Sequence, residues 1–256
     1  MKDFIKENWD YQASIHKESH WASWGDNYAI SLEIENIAKY IKDNDNVLDV
    51  GCANGFSTFE QFKRKNIKIK GVDFSEKMIE YAQLRKAENG IQDEMNFYVG
   101  DVRKLDFADN LFDVTYTTRV IINLPYWEEQ ANAIDECIRV TKKGGVVVIS
   151  EAFWEPLMLL NSLRAMKNLP PLVEHDFNRY IKKAKLENHL NSKGIKYEII
   201  DFSSVYYLGS RFLRELVTEV DKYPGFTNPI NEIFYNIEKE FSGGGFGIQQ
   251  ACVIYK

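Results

Sequence analysis

The chain holds 256 residues, of which 45% are apolar, 27% charged and 14% aromatic, with a formal net charge of −6. Such a composition can bury a sizeable core and excludes a disordered chain, and the length suits one elaborated domain or a domain with an inserted part. The acidic balance speaks against a general nucleic-acid binder, no apolar run approaches the ~18 residues of a membrane span, and the polar stretch from Met1 to Asn8 is unlike a secretory signal. Three scattered cysteines, Cys52, Cys137 and Cys252, fit neither a disulfide framework nor a zinc site, so a cytoplasmic chain without a metal is expected. The basic stretches at Lys63 to Lys70 and Lys182 to Lys185 read as solvated helix faces. Neither nucleic acid nor a membrane is therefore an expected partner, and the oligomeric state is left open.

Residues 1–45 read as a helical and aromatic cover, with Trp9, Tyr11, Trp21, Trp24 and Tyr28, and the apolar spacing of Leu32, Ile34, Ile37, Ala38 and Ile41 predicts an amphipathic helix from Ser31 to Lys42. Asn46 to Val50 reads as a short strand ending in a glycine turn, followed by a helix from about Phe56. Ile67 to Val72 is the next strand, and Ser75 is a good N-cap for a helix to about Glu88. Strands follow at Asn96 to Val99 and Phe112 to Tyr116. A helix from Trp127 to Thr141 is expected to leave through Lys142 to Gly145. Val146 to Ser150, apolar and β-branched, suits a strand buried on both faces of a parallel sheet. Helices are expected from Leu157 to the stop at Pro170 and Pro171, and from Arg179 to Leu190, with further strands at Ile195 to Ile200 and Gly247 to Tyr255.

Strand–helix alternation of this kind predicts a doubly wound α/β domain. The expectation is one domain over 1–256: the cover over 1–45, a core over 46–155 and a substrate side over 156–256. An insertion at about 203–245, between the last two strands, would form a lid or substrate wall.

The strongest signal is the run Val47 to Gly55, a strand entering a glycine turn that opens a helix. Gly51 and Gly55 let the backbone turn sharply and approach a ligand, and the helix N-terminus offers unpaired N–H groups to a negatively polarised ligand end. Asp73 ends the second strand, placed to accept from both hydroxyls of a ribose, and Asp101 ends the third, placed to accept from an adenine amino group. Any one of these aspartates is equally a loop or cap residue. Three acids, Asp49, Asp73 and Asp101, at successive strands behind a glycine turn point to an adenosine ligand.

At these residues the sequence resembles the class I S-adenosylmethionine-dependent methyltransferases. Residues 47–55 resemble that family's first motif, Gly71 to Ser75 its ribose motif and Gly100 to Val102 its adenine motif. Phe112 to Tyr116 resembles the fourth strand, and Arg139 to Gly145 the passage into the fifth. The likeness covers about 45–155 and, more loosely, the closing strand. Ala53 stands where the family often has a middle glycine. A nicotinamide dehydrogenase needs G-x-G-x-x-G, which Gly51 to Gly55 does not fit.

The resemblance implies a Rossmann-like sheet of seven mostly parallel strands with helices on both faces, the last strand antiparallel. It implies S-adenosylmethionine as cofactor, S-adenosylhomocysteine as product, and contacts from Asp49, Gly51, Cys52, Ala53, Asn54, Gly55, Asp73, Phe74, Asp101, Val102 and Thr118. Methyl transfer to a hydroxyl or ammonium acceptor needs positioning and one base, and no metal. Candidate catalytic residues are His20 in the aromatic patch of the cover, Glu151 at the end of the fifth strand, His175 after the proline break, and Arg119, whose fork would suit an anionic group or a salt bridge. Trp21, Trp24, Asn123, Tyr206 and Tyr207 are candidate acceptor contacts. His189 reads as a surface residue.

The function expected is methyl transfer to a small-molecule acceptor, foremost a hydroxyl of a sugar, glycan precursor or related metabolite. The alternatives are an N-methyltransferase, an enzyme acting on protein or tRNA, and a non-catalytic subunit that binds S-adenosylmethionine.

Overall fold

A computed structural model of the chain describes residues 2–17, 19–22, 24–175, 177–219, 222 and 225–256, apart from the side chains of Lys2, Asp3 and His20. Seven strands form one sheet in the order β3-β2-β1-β4-β5-β7-β6. They are β1 (Asn46–Val50), β2 (Lys68–Asp73), β3 (Met95–Val99), β4 (Phe112–Thr118), β5 (Thr141–Ala152), β6 (Lys196–Ile200) and β7 (Gln249–Tyr255). Strands β1 to β5 run parallel, and β7 runs antiparallel between β5 and β6. This is the doubly wound, mostly parallel sheet expected. Val147, Val148, Ile149, Cys252, Val253 and Ile254 are wholly buried at its centre, as β-branched runs covered on both faces should be. Register matters for function: Val50 lies opposite Val72, and Asp73 opposite Val99. The carboxyl ends of β1, β2 and β3 therefore stand side by side.

The helices are α1 (Lys2–His16), α2 (Asn27–Ala38), α3 (Phe56–Arg64), α4 (Glu76–Glu88), α5 (Trp127–Val140), α6 (Trp154–Met166) and α7 (Lys183–Ser192). Three more, α8 (Ser204–Leu208), α9 (Arg214–Val217) and α10 (Ile230–Glu240), lie between β6 and β7. Ser75 caps α4 as expected, its hydroxyl accepting from the Met78 amide. Helix α2 starts earlier than its apolar spacing suggests, because Asp26 caps it through the Ala29 amide at 3.1 Å. Helix α5 stops at Val140, and Lys142 to Gly145, expected as its exit, belongs to β5 instead. Long-range bonds cause this. The Thr141 hydroxyl donates across to Thr115 or back to Cys137 O, and the Gly144 amide donates to Lys256 O.

The segment between the last two strands folds back on the N-terminal helices. Helix α8 runs on through a wide π turn (Gly209–Leu213) into α9. Gly209 is needed there, since a Cβ would come within 2.1 Å of the Phe234 ring on α10. The Tyr206 hydroxyl donates to Asp26 at 2.6 Å, and Tyr235 donates to Glu35 at 2.8 Å. Among the described residues no helix is long and apolar enough to cross a membrane.

Candidate active site

The glycine turn after β1 is held by three residues with left-handed backbone: Gly51 (φ +77°), Ala53 (φ +46°) and Gly55 (φ +78°). A Cβ on Gly51 would fall 1.9 Å from a methyl of Val120, so only glycine allows the β4 exit to pass so close. Ala53 adopts this left-handed conformation despite its Cβ, and its amide donates to Asp73 Oδ2 at 2.9 Å. Gly55 opens α3 against the Phe97 ring and does not border the cavity described below. The Asn54 amide group reaches away from the turn and donates to both Lys17 O and Ser19 O at 2.8 Å. That pair of bonds fixes the chain after α1 over the site.

Asp73 lies partly buried in the wall, one oxygen on the Ala53 amide and the other on Ser75 N, 2.9 Å each. Burial raises its carboxyl to about 6 against these stabilising amides. Asp49 lies beneath the turn at the cavity wall, almost wholly buried and accepting from the Thr58 hydroxyl at 2.6 Å, and burial raises it to about 7. Asp101 is gripped by Arg103 through Nε at 2.9 Å and Nη2 at 2.6 Å. Cys52, Phe74, Val102 and Thr118 complete this end, and the buried Thr118 hydroxyl has no partner among the described residues.

These residues line one end of a cavity of about 740 Å³. Away from the turn the lining is apolar and aromatic, with Trp24, Leu157 and Ile248, while Trp9, which packs with Ala53 on the cluster of Ala13, Ala22 and Met78, covers the turn together with Trp21 and Phe177. Trp9 meets Phe177 edge to face at 6.0 Å, and Trp24 meets Phe226 at 5.9 Å. Arg119, in left-handed backbone (φ +57°), stacks over Trp24 at 4.7 Å and pairs with the buried Glu33 at 2.8 Å. Asn123 lines the same wall; its amide holds Arg119 O at 2.8 Å, while its Oδ1 is buried without a partner among the described residues.

The expected catalytic residues separate here. His175 borders the cavity at an exposed position, and Arg119 lines it. Glu151 does not. It is wholly buried, accepting from the Thr117 hydroxyl at 2.7 Å and from the amides of Val120, Ile121 and Ile122 at 3.1 to 3.3 Å. The chain after β4 folds over the strand end and covers it. Burial raises this carboxyl to about 7. His20 begins a short 3₁₀ turn (His20–Ala22), but its side chain lies outside the described residues. His189 packs at 3.0 Å from Asp135, away from the cavity.

Of the acceptor contacts expected, Trp21, Trp24, Asn123 and Tyr207 line the cavity and Tyr206 does not. Tyr206 is fully buried with its hydroxyl on Asp26. Neighbours on a helix point about 100° apart, so one face could not serve both tyrosines. Arg211, at the end of the stretch after β6 that the sequence places beside the cleft, lines the apolar end, and so does Tyr180, which the sequence does not single out.

A family model described as a methyltransferase domain matches residues 41–204. An uncharacterized methyltransferase of Schizosaccharomyces pombe is 36% identical over 121 residues, covering 44% of this chain and 42% of that protein. The match to this relative thus spans less than half its length. A ubiquinone biosynthesis O-methyltransferase of Azoarcus sp. is 27% identical over 164 residues, 63% of this chain and 67% of the relative. A geranyl diphosphate methyltransferase solved in complex with SAM superposes with a TM-score of 0.58 at 16% identity, covering 88% of this chain and 83% of that one. That last likeness is one of fold.

Proposed function

This chain belongs to the methyltransferase domain family, a class I methyltransferase whose cofactor is S-adenosylmethionine, and from that premise we propose that its acceptor is a small molecule with a largely apolar body. One observation carries the reading: a single cavity has acids and a glycine turn at one end and an aromatic, apolar wall at the other.

The residues present fit the donor. Asp73 holds the amides of Ala53 and Ser75 and faces that of Phe74, and a carboxylate with about four acceptor positions keeps capacity for the ribose. Asp101, fixed by Arg103, would accept from the adenine amino group, with Phe74 and Val102 beside the base. Asp49, the turn at Gly51 to Asn54 and the unpartnered Thr118 hydroxyl would meet the amino-acid end. When bound, the donor supplies an electrophilic methyl on a sulfonium. The protein's part is to orient the acceptor and exclude water, and the aromatic wall under α1 does both. His175, at the rim, would take the proton from a hydroxyl acceptor. A sugar hydroxyl is less well supported than a phenol or another apolar-bodied hydroxyl, because the acceptor end offers mainly rings and aliphatic groups. The same cover suits a small molecule better than a protein or tRNA chain, and the open space beside Arg119 speaks against a non-catalytic subunit.

Titration with S-adenosylmethionine, S-adenosylhomocysteine and NAD, read by thermal unfolding, tests the donor. A ligand at ~100 times its Kd adds ~2.7 kcal/mol of stability, and no response to the first two sinks the reading. Release of S-adenosylhomocysteine with apolar phenols but not with sugars is expected for the acceptor. His175→Ala should lower kcat by ~10²-fold or more while leaving S-adenosylhomocysteine affinity unchanged.

A further inference from the structure

The apolar end of the cavity holds a polar group that the donor does not require. Arg211 lines it with only 11% of its side chain exposed, its guanidinium 5.0 Å from the ring centres of both Tyr207 and Phe226. One nitrogen donates to Asp26 and another to the Ser210 hydroxyl at 3.0 Å. Tyr206, its hydroxyl given to Asp26, is hydrogen-bonded beside it as well, and the donors that remain have no further protein partner among the described residues. Two phenols of the same wall share that condition. The hydroxyls of Tyr180 and Tyr207 both lie within electrostatic reach of Arg211, and neither has a hydrogen-bond partner among the described residues. Buried donors in an apolar pocket cost stability unless something accepts from them.

We propose that the acceptor carries a carboxylate, received by the guanidinium of Arg211 and the hydroxyls of Tyr180 and Tyr207 while its apolar body lies on the aromatic wall. This deepens the acceptor reading above and rests on it. The charges around the group favour a monoanion. Asp26 partners Arg211, but it also caps α2, and the positive end of that helix offsets part of its charge. Arg119 faces Glu33, whose carboxyl burial raises to about 7, so at neutral pH this pair is incompletely cancelled. Glu174 is the further acid near Tyr180. The acids Asp49, Asp73 and Asp101 stand at the donor end instead, which sets opposite charge preferences at the two ends of one cavity. A planar carboxylate matches the arginine fork, whereas a phosphate dianion would be undercompensated with Asp26 and Glu33 behind the site.

The test uses the full chain saturated with S-adenosylhomocysteine and titrated calorimetrically with benzoate, 2-naphthoate and decanoate, each against its primary amide, with 2-naphthyl phosphate alongside. At least one acid should bind ~tenfold or more tighter than its amide. That ratio should fall toward one in the Tyr180→Phe/Tyr207→Phe double variant and in Arg211→Lys, which keeps a cation beside Asp26. Affinity for S-adenosylhomocysteine should be unchanged in both variants. No acid-over-amide preference in any pair, a preference that survives both variants, or tighter binding of the phosphate would overturn the proposal. Wild-type protein that fails to bind S-adenosylhomocysteine would instead defeat the donor reading on which it stands.

Discussion

Asp73 shows how a single side chain serves both fold and ligand. Its two oxygens hold the amides of Ala53 and Ser75, the first on the glycine turn and the second at the start of α4, so the carboxylate fixes its own surroundings. Replacing it with alanine should weaken S-adenosylhomocysteine binding by ~1.5–3 kcal/mol, the range for hydrogen bonds to a charged group, measurable by calorimetry. Ionised, it accepts; protonated, it loses an acceptor. Since burial places its titration at about 6, affinity should fall as pH drops through that value, by at most about tenfold per pH unit, and should stay flat in Asp73→Asn. Glu151 teaches the opposite lesson. Its place at a strand end is legible in the sequence and suggests catalysis, yet the three amides of Val120 to Ile122 close over it. Nothing local in the chain announces that the following loop will fold back.

Among the elements, the strands and the Ser75-capped helix were readable because their causes are local: period, β-branching and a capping hydroxyl. The misread boundaries mix local and distant causes. Asp26 starts α2 early while also receiving Tyr206 and Arg211 from α8 and the π turn, and Thr141 leaves α5 to join a sheet. The cofactor end was likewise legible as ordered motifs, whereas the acceptor end draws on residues 180 and 185 positions apart. Helix α1 and the turn after it depend on a few polar ties, with Asn54 on Lys17 O and Ser19 O, and Lys6 on Glu76 at 2.9 Å. The lysine pair is exposed and contributes little. Asn54→Ala should therefore speed amide exchange across residues 2–17 while the sheet stays protected, and hydrogen-exchange mass spectrometry would reveal it. Equal protection in both proteins would mean that the aromatic contacts and the bond from the Ser75 hydroxyl to Asp10 suffice to hold the segment.

At the scale of the whole molecule, five acids share one consequence. Glu33, Asp49, Glu151 and Glu238 titrate at about 7 and Asp73 at about 6, all raised by burial above their ordinary range near 4. Between pH 4 and 7 the folded chain holds protons that the unfolded chain has released, so their contribution is complete below about 4 and is lost as pH rises through 6 and 7. Calorimetry without ligand should give a higher Tm at pH 5.5 than at pH 8; the reverse order would mean these carboxylates are ionised in the fold. The position of β7 carries a different consequence. Strand β6 pairs with β7 alone, and β7 fills the place beside β5. While the chain is being synthesised, the apolar run Val146 to Ile149 must wait for residues 249–255 with one edge of its backbone bare. During that interval β5 is an open template for another nascent chain, and the arrival of β7 decides between a finished sheet and aggregation.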